Sequence, residues 1–123
     1  MKRICAVLLG CIAVLAAVSG CAKQAFEGTR TSDDKRFVLE YTMFTGEQTH
    51  ELELQQGASI DVTIRTESGR IDIVAAGPDG KEIYKGNGAS SGSFTLEIQQ
   101  TGTYRFSVTG KRAAGGVSFV AEG

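Results

Sequence analysis

The stretch that decides the fold is Leu52-Glu53-Leu54-Gln55-Gln56-Gly57-Ala58-Ser59-Ile60-Asp61-Val62-Thr63-Ile64. Apolar and polar residues alternate on both sides of Gly57, and a period of two is typical of a strand with one buried face. A glycine between two such runs favours a tight turn, because glycine readily adopts positive φ angles. The stretch therefore predicts two strands joined by a turn.

A second copy of this pattern lies 44 residues further along the chain, from Leu96 to Val108. The two copies align without gaps, and their inward positions are apolar throughout. The identical pairs are Leu52 and Leu96, Glu53 and Glu97, Gln55 and Gln99, and Gln56 and Gln100. Two related hairpins favour a double Greek-key or jelly-roll sandwich. Chance similarity is the alternative, since hairpins use few residue types.

The same period of two extends from residue 36 to the C-terminal region, and no helical period interrupts it. Eight short strands are predicted, at about residues 36–45, 48–55, 59–66, 70–75, 81–85, 93–100, 103–109 and 117–121. The strongest turn is Gly77-Pro78-Asp79-Gly80, where Pro78 presets its own φ and Gly80 suits a left-handed conformation. The predicted fold class is all-β: an antiparallel two-sheet sandwich of jelly-roll or Greek-key type.

An apolar run from Ile4 to Val18 follows the basic pair Lys2 and Arg3. At about 15 residues the run is shorter than the roughly 20 that span a bilayer as a helix. It matches the apolar region of a secretory signal. The run closes on Val18-Ser19-Gly20-Cys21, which resembles the lipobox of bacterial lipoproteins in all four positions.

The lipobox resemblance implies that Cys21 carries a diacylglyceryl group and becomes the first residue of the mature protein. Two long acyl chains give stable anchoring where one gives only reversible binding. The predicted organisation is a signal helix over residues 1–20, the lipidated cysteine with a flexible tether over 21–35, and the β domain over 36–123. An uncleaved anchor helix with a chance cysteine is the alternative.

The resemblance places the protein on the extracytoplasmic side of the cell membrane, or at the outer membrane of a Gram-negative cell. Without residues 1–20 the chain retains 11 basic and 14 acidic side chains, which argues against a nucleic-acid partner. Cys5 and Cys11 leave with the signal, so the mature body has no thiol beyond Cys21. It therefore forms no disulfide and no cysteine-based metal site.

The run from Gln99 to Gly110 contains the pattern Gly102-x-Tyr104-x-Phe106-x-Val108. This pattern resembles a strand of GOLD-type and bacterial pre-peptidase-type β-sandwiches. The segment from Leu52 to Val120 also resembles small lipoproteins of Gram-positive anaerobes. These resemblances imply an accessory or interaction domain with no catalytic residues to transfer.

No catalytic residue and no metal site are predicted. His50 is the only histidine, it shares its strand face with Leu52 and Leu54, and no serine lies in a nucleophile-elbow context. It is interpreted as a packed or edge residue. The aspartates form no calcium-loop pattern. Asp79 is interpreted as a turn residue, and Asp61 and Asp72 as solvent-facing strand residues.

The candidate binding residues are those of polar loops on a rigid scaffold, where binding residues concentrate. They are Asn87, Ser90 and Ser91 in a loop of small residues, Tyr84 before it, and Lys111 and Arg112 in a basic loop. Tyr104 is interpreted as a core or corner tyrosine. The predicted function is non-catalytic binding of a protein, peptide or glycan partner. The alternatives are a structural envelope protein that pairs through an edge strand at residues 117–121, and a small hydrolase.

Overall fold

The computed structural model describes residues 24–122, which form six antiparallel strands. The strands are β1 (Ala25–Ser32), β2 (Arg36–Leu54), β3 (Ser59–Ala76), β4 (Glu82–Gly86), β5 (Gly92–Glu97) and β6 (Gly102–Glu122). The predicted all-β, antiparallel class is confirmed. The signal segment, the lipobox residues Val18, Ser19 and Gly20, and Cys21 lie outside the described residues. Within residues 24–122, no helix is long and apolar enough to cross a membrane.

The prediction of eight short strands is wrong, because three long strands each replace a predicted pair. β2 has 19 residues, β3 has 18 and β6 has 21. The register shifts where turns were expected, after Tyr41 in β2 and after Thr66 in β3, yet pairing resumes on the far side. Such bulges bend a strand and increase its twist without reversing it. Each strand therefore bends and continues.

The sheet has the order β1-β2-β6-β3, with β4 and β5 both paired to the outer side of β3. The bends of the long strands lie side by side, since Phe44 of β2 pairs with Ala113 of β6 and Ser68 of β3 pairs with Ala114. One half of the sheet contains β1 and β5, and the other half contains β4. The aligned bends fold the two halves over one another into two layers.

Aromatic rings from the two halves meet in the core. The ring of Phe106 lies 4.9 Å from that of Phe119, and Phe119 stacks on Phe37 at 5.8 Å. All three side chains are fully buried. No polar or charged residue among residues 24–122 is classed as buried, so burial of apolar surface dominates the stability.

The two sequence copies are not hairpins, which corrects that prediction. Leu52 pairs with Tyr104 in one half of the sheet, whereas Ile60 pairs with Ala121 in the other half. The first copy therefore crosses from one layer to the other, and the second crosses back between β5 and β6. The turns of the copies are neighbours, because the main-chain N–H of Ile98 donates to the carbonyl of Ala58 at 2.9 Å.

The coil prediction for the tether is wrong for residues 25–32, which form β1 and pair with β2. Arg30 fastens this strand across the side of the fold. Its guanidinium donates to Gln48 Oε1 at 2.6 Å and to the main-chain oxygen of Thr49 at 2.8 Å. It also lies 5.0 Å above the ring of Phe37. The sequence did not predict strand β1 because its composition is polar: six of its eight residues are exposed.

The strand at residues 117–121 is not an edge, which corrects the predicted pairing surface. Val117 belongs to β6 and pairs with Leu39 of β2 on one side and with Ile64 of β3 on the other. The strands that pair on one side only are β1, β4 and β5.

The folded sheet has two distinct ends. The bend end contains the bends at residues 42–46, 66–70 and 110–115 and the loop at 87–91. The turn end contains the turns at 33–35, 55–58, 77–81 and 98–101. At the turn end, Gly80 has a φ of 84° and Asp79 Oδ1 accepts the N–H of Lys81 at 3.0 Å, which confirms the predicted turn.

Candidate functional site

Five of the six candidate binding residues lie at the bend end, and all five are exposed. They are Asn87, Ser90 and Ser91 in the loop between β4 and β5, and Lys111 and Arg112 in the bend of β6. The sixth, Tyr84, is half-buried in β4, and its ring lies 4.8 Å from that of Phe94 in β5. The structure therefore gathers the loop candidates on one surface and uses Tyr84 in packing.

Hydrogen bonds fix the loop at residues 87–91 on the bend of β3. The N–H of Gly88 donates to Asp72 Oδ1 at 2.7 Å, and the N–H of Thr66 donates to Ser91 Oγ at 2.9 Å. The Gly88 hydrogen bond, followed by that from Arg70, holds the pKa of Asp72 below its usual value. Asp72 is thus a loop anchor.

The basic tip at Lys111 and Arg112 is a rigid corner of β6. Arg112 has a φ of 50°, a left-handed conformation that non-glycine residues seldom adopt. Its N–H donates to Thr45 Oγ1 at 3.0 Å, and a Cβ at Gly69 would collide with its carbonyl oxygen. No ion pair joins either basic side chain to a carboxylate within residues 24–122. The tip therefore presents two exposed positive charges, and that of Lys111 is close enough to Asp72 to help lower the pKa of this carboxyl.

The chain approaches the sheet at the same end. Ala25, the first residue of β1, pairs with Thr45, whose hydroxyl holds the main chain of Arg112. Strand β1 therefore begins next to the basic tip. The turn end lies at the opposite extreme of the long strands.

An exposed cluster of charges lies on the outer face of β2, β6 and β3. Arg65 binds Glu40 Oε1 at 3.0 Å and Glu67 Oε2 at 2.9 Å, and these two hydrogen bonds raise its pKa above the usual value. Gly116 lies between Glu40 and Arg65 on β6 and leaves room for the bridge. All three side chains are about half exposed, so the ion pairs contribute little to stability.

Tyr41 and Tyr104 differ in how their buried hydroxyls are satisfied. Tyr104 is 2% exposed and donates to the main-chain oxygen of Gln100, which confirms a buried corner tyrosine. Tyr41 is 4% exposed, and its hydroxyl has no hydrogen-bond partner within the described residues. Burial raises the pKa of Tyr41 to about 12.

Substituting these tyrosines with phenylalanine is expected to have opposite effects on the free energy of unfolding. Tyr104→Phe loses a hydrogen bond and leaves the Gln100 carbonyl without it, a loss of about 0.5–1.5 kcal/mol. Tyr41→Phe removes an unpaired hydroxyl and is expected to leave stability unchanged or raise it by about 1 kcal/mol. Urea denaturation of both variants at pH 7 measures the difference. A clear loss in Tyr41→Phe would show that its hydroxyl is satisfied.

The turn end holds a cleft with a volume of about 450 Å³. Leu54, Ala58 and Ala121 form its apolar lining. The lining also includes the exposed carboxylates of Asp34, Glu53 and Glu122. Lys35 contributes a positive charge to the same lining. A cavity of about 380 Å³ lies beside the turn at 77–81 and includes Pro78 and Tyr104.

Sequence reasoning missed this cleft because its residues lie far apart in the chain. The one feature of the sequence that could have indicated the cleft is that each carboxylate lies close to the end of a strand. This feature alone does not predict that the carboxylates meet. They meet because the two sequence copies cross between layers, which brings residues 53–58 beside residues 34 and 121.

His50 is half-buried, and its surroundings are structural. Its ring lies 5.5 Å from that of Phe37, and Nε2 lies 2.7 Å from the main-chain oxygen of Asp33. Since a carbonyl oxygen only accepts, Nε2 carries the proton in this contact. No seryl hydroxyl hydrogen-bonds to His50 within residues 24–122. The predicted packed histidine is confirmed.

The acidic residues of the described chain do not form a metal site. Within residues 24–122, no three His, Cys, Asp or Glu side chains are placed to hold an ion. Asp33 instead closes the turn between β1 and β2, where its Oδ1 accepts the N–H groups of Lys35 and Arg36 at 2.9 Å each. These bonds, the one from Lys35 first, lower the pKa of Asp33.

Comparison with known proteins gives partial likenesses. No family model matches the chain. Suppressor/enhancer of lin-12 protein 9 of Caenorhabditis elegans is 50% identical over 36 residues, which are 29% of this chain and 18% of the worm protein. The match therefore spans less than a fifth of that relative's length.

Solved structures of β-rich proteins show low sequence identity. PliG of Aeromonas hydrophila, a periplasmic inhibitor of g-type lysozyme, is 14% identical, with a TM-score of 0.49 over 84% of this chain and 93% of that one. A chain of the Bacillus endospore appendages, disulfide-linked pili, is 18% identical, with a TM-score of 0.44 over 85% and 92%. None of these likenesses assigns a family or a function.

Proposed function

We propose that the chain is a lipid-anchored, extracytoplasmic and non-catalytic module that binds a protein, peptide or glycan partner at the cell envelope. A diacylglyceryl group on Cys21 holds it at the cell membrane, or at the outer membrane of a Gram-negative cell. The apolar run from Ile4 to Val18 and the four lipobox residues support this placement. The body resembles GOLD-type and pre-peptidase-type domains in one strand pattern.

The observation that carries the proposal is where the folded body begins. Only residues 22–24 separate Cys21 from β1, so the lipid site connects almost directly to the bend end. The turn end, with the cavities of about 450 and 380 Å³, then points away from the membrane. A partner in the envelope space meets the turn end first.

The proposal of a non-catalytic role rests on the surroundings of the candidate groups. The ring of His50 contacts Phe37 and a main-chain carbonyl. Asp33, Asp72 and Asp79 each accept main-chain N–H groups. These side chains are used in holding turns and loops, which favours binding over hydrolysis.

The anchor is tested by Cys21→Ser. Serine supplies no thiolate, so no thioether to the lipid forms, and the variant is expected to lose fatty-acid labelling and membrane retention. Metabolic labelling with an alkyne fatty acid and mass spectrometry of the mature N-terminus measure both. Cys11→Ser, inside the apolar run, is the matched control and is expected to label normally. Equal labelling of wild type and Cys21→Ser would refute the anchor.

The partner surface is tested with a photo-crosslinking amino acid at Gln55, an exposed residue of the turn end, in intact cells. Thr63, exposed at mid-strand on β3, is the matched control position. A reproducible adduct from Gln55 that is weak or absent from Thr63 is expected. Adducts of equal yield from both positions would contradict recognition through the turn end.

The second candidate function is a structural role through strand addition. Its supporting observation is that β1 pairs with β2 alone, which leaves its other backbone edge without a strand within the described residues. An unpaired edge is a template for another chain. The bulge between Glu27 and Gly28 interrupts this edge. Adducts from a photo-crosslinker at Thr29, in preference to Gln55, would favour this candidate.

A further inference from the structure

The length of chain between the lipid site and the sheet limits how the body can sit on a membrane. Four residue steps connect Cys21 to Ala25, and a fully extended chain spans at most about 3.3–3.6 Å per residue. The start of β1 is therefore within about 14 Å of the lipidated residue. This upper limit is only about one and a half times the Debye length of 8–10 Å at physiological salt, so the bend end can come close enough for its charges to interact with headgroups.

The charges at this end are suited to an anionic surface. Lys111 and Arg112 are exposed, and neither forms an ion pair with a carboxylate within the described residues. The nearest acidic groups of the β3 bend are already engaged, since Asp72 binds Arg70 and Glu67 binds Arg65. Glu27 and Glu47, which are exposed on β1 and β2, are the other acidic side chains near this end.

An apolar side chain accompanies the basic tip. Met43 is 38% exposed and is one of two large hydrophobic side chains that the described fold leaves exposed. It lies in the bend of β2 and pairs with Glu27 of β1. The other is Ile83, in β4 on the turn-end side of Tyr84. A flexible thioether at the same end of the fold as two cations matches the headgroup layer, where polar and apolar groups meet.

We propose that the bend end is a membrane-contact surface that binds anionic phospholipid headgroups. Lys111 and Arg112 pair with lipid phosphates, and Met43 rests at the level of the glycerol backbone. The contact orients the body so that the turn-end cleft faces the envelope space. In this proposal Asn87, Ser90 and Ser91 serve the membrane rather than the partner. The inference rests on the proposed lipid anchor.

The test uses the lipidated mature protein in vesicles of phosphatidylcholine with phosphatidylglycerol, or of phosphatidylcholine alone. Since the mature body has no thiol other than Cys21, Ser90→Cys and Gln99→Cys each carry one fluorophore, at the bend end and at the turn end. A quencher attached to the lipid headgroups reports which end is near the surface. Strong quenching at residue 90, weak quenching at residue 99, and dependence of the former on phosphatidylglycerol are expected.

Lys111→Gln with Arg112→Gln is expected to remove the part of the quenching that depends on phosphatidylglycerol. Each basic side chain near an anionic surface shifts the equilibrium about fivefold. Lys35→Gln with Lys81→Gln is the control, because it makes the same change in net charge at the turn end.

Three results overturn the inference, and they have different meanings. Equal quenching at residues 90 and 99 on protein whose lipid is verified by mass spectrometry overturns the orientation and leaves the anchor intact. Protein without lipid on Cys21 overturns the anchor and the orientation together. Unchanged quenching in the Lys111 and Arg112 double variant also overturns the inference, because it removes the basic tip as the cause.

Discussion

Replacing Phe106 with alanine is expected to lower the free energy of unfolding by about 3–5 kcal/mol. The ring of Phe106 is fully buried and lies 4.9 Å from that of Phe119, across the fold between the two halves of the sheet. Its removal leaves a cavity where the halves meet, and the bent strands cannot close it without moving the bends. Domains of this size have about 5–15 kcal/mol of stability in total, so the variant retains little.

Urea denaturation followed by circular dichroism measures this loss. Ile83→Ala is the matched control, since it removes a large aliphatic side chain that is 41% exposed and is expected to change stability by less than about 1 kcal/mol. Losses of similar size in the two variants would mean that the halves of the sheet do not pack through Phe106.

The all-β class could be predicted from the period of two, which depends only on which residues face the core. Which strands pair with one another could not be predicted from that period. The run from Leu52 to Ile64 has the same alternation whether its strands pair with one another or cross between layers. Strand β6 pairs with both β2 and β3 and so separates them, and that long-range pairing leaves no local signature.

The predicted turns failed for a related reason. Glycines mark both chain reversals and bulges, because both need unusual backbone angles. Gly80 ends a real hairpin turn, whereas Gly69, with a similar φ, lies in a bend that the sheet continues through. Only the partner strands distinguish the two cases.

The candidate surface was predicted in part. Loop composition identified Asn87, Ser90, Lys111 and Arg112, and the structure brings them to one end. The relation of that end to Cys21 could not be predicted while residues 25–32 were interpreted as tether. A tether would let the body rotate freely, whereas a strand that starts at Ala25 restricts its approach to the membrane.

Replacing Gly69 with alanine is expected to disturb the bend end, because it strains the backbone of β3 and brings a Cβ into collision with β6. Gly69 has a φ of 78°, which costs about 1–3 kcal/mol for a residue with a side chain. A Cβ there would also collide with the carbonyl of Arg112, and such overpacking costs a further 1–3 kcal/mol or so. The contacting atoms are main-chain atoms, so they cannot move aside without displacing the bend of β6.

Gly80→Ala is the matched control, because Gly80 has a φ of 84° and nothing lies within 4 Å of the position of its Cβ. Gly80→Ala is expected to lose only the stability that a side chain at positive φ costs. The further loss in Gly69→Ala, measured as the difference between the two urea midpoints, is then due to the collision with Arg112. Equal losses would show that β3 and β6 are further apart at the bends than the structure has them. Because the collision displaces Arg112, only Gly69→Ala should also weaken the quenching at residue 90 that depends on phosphatidylglycerol. That result would show that the close approach of β3 to β6 at Gly69 also keeps Arg112 in the position that orients the body on the membrane.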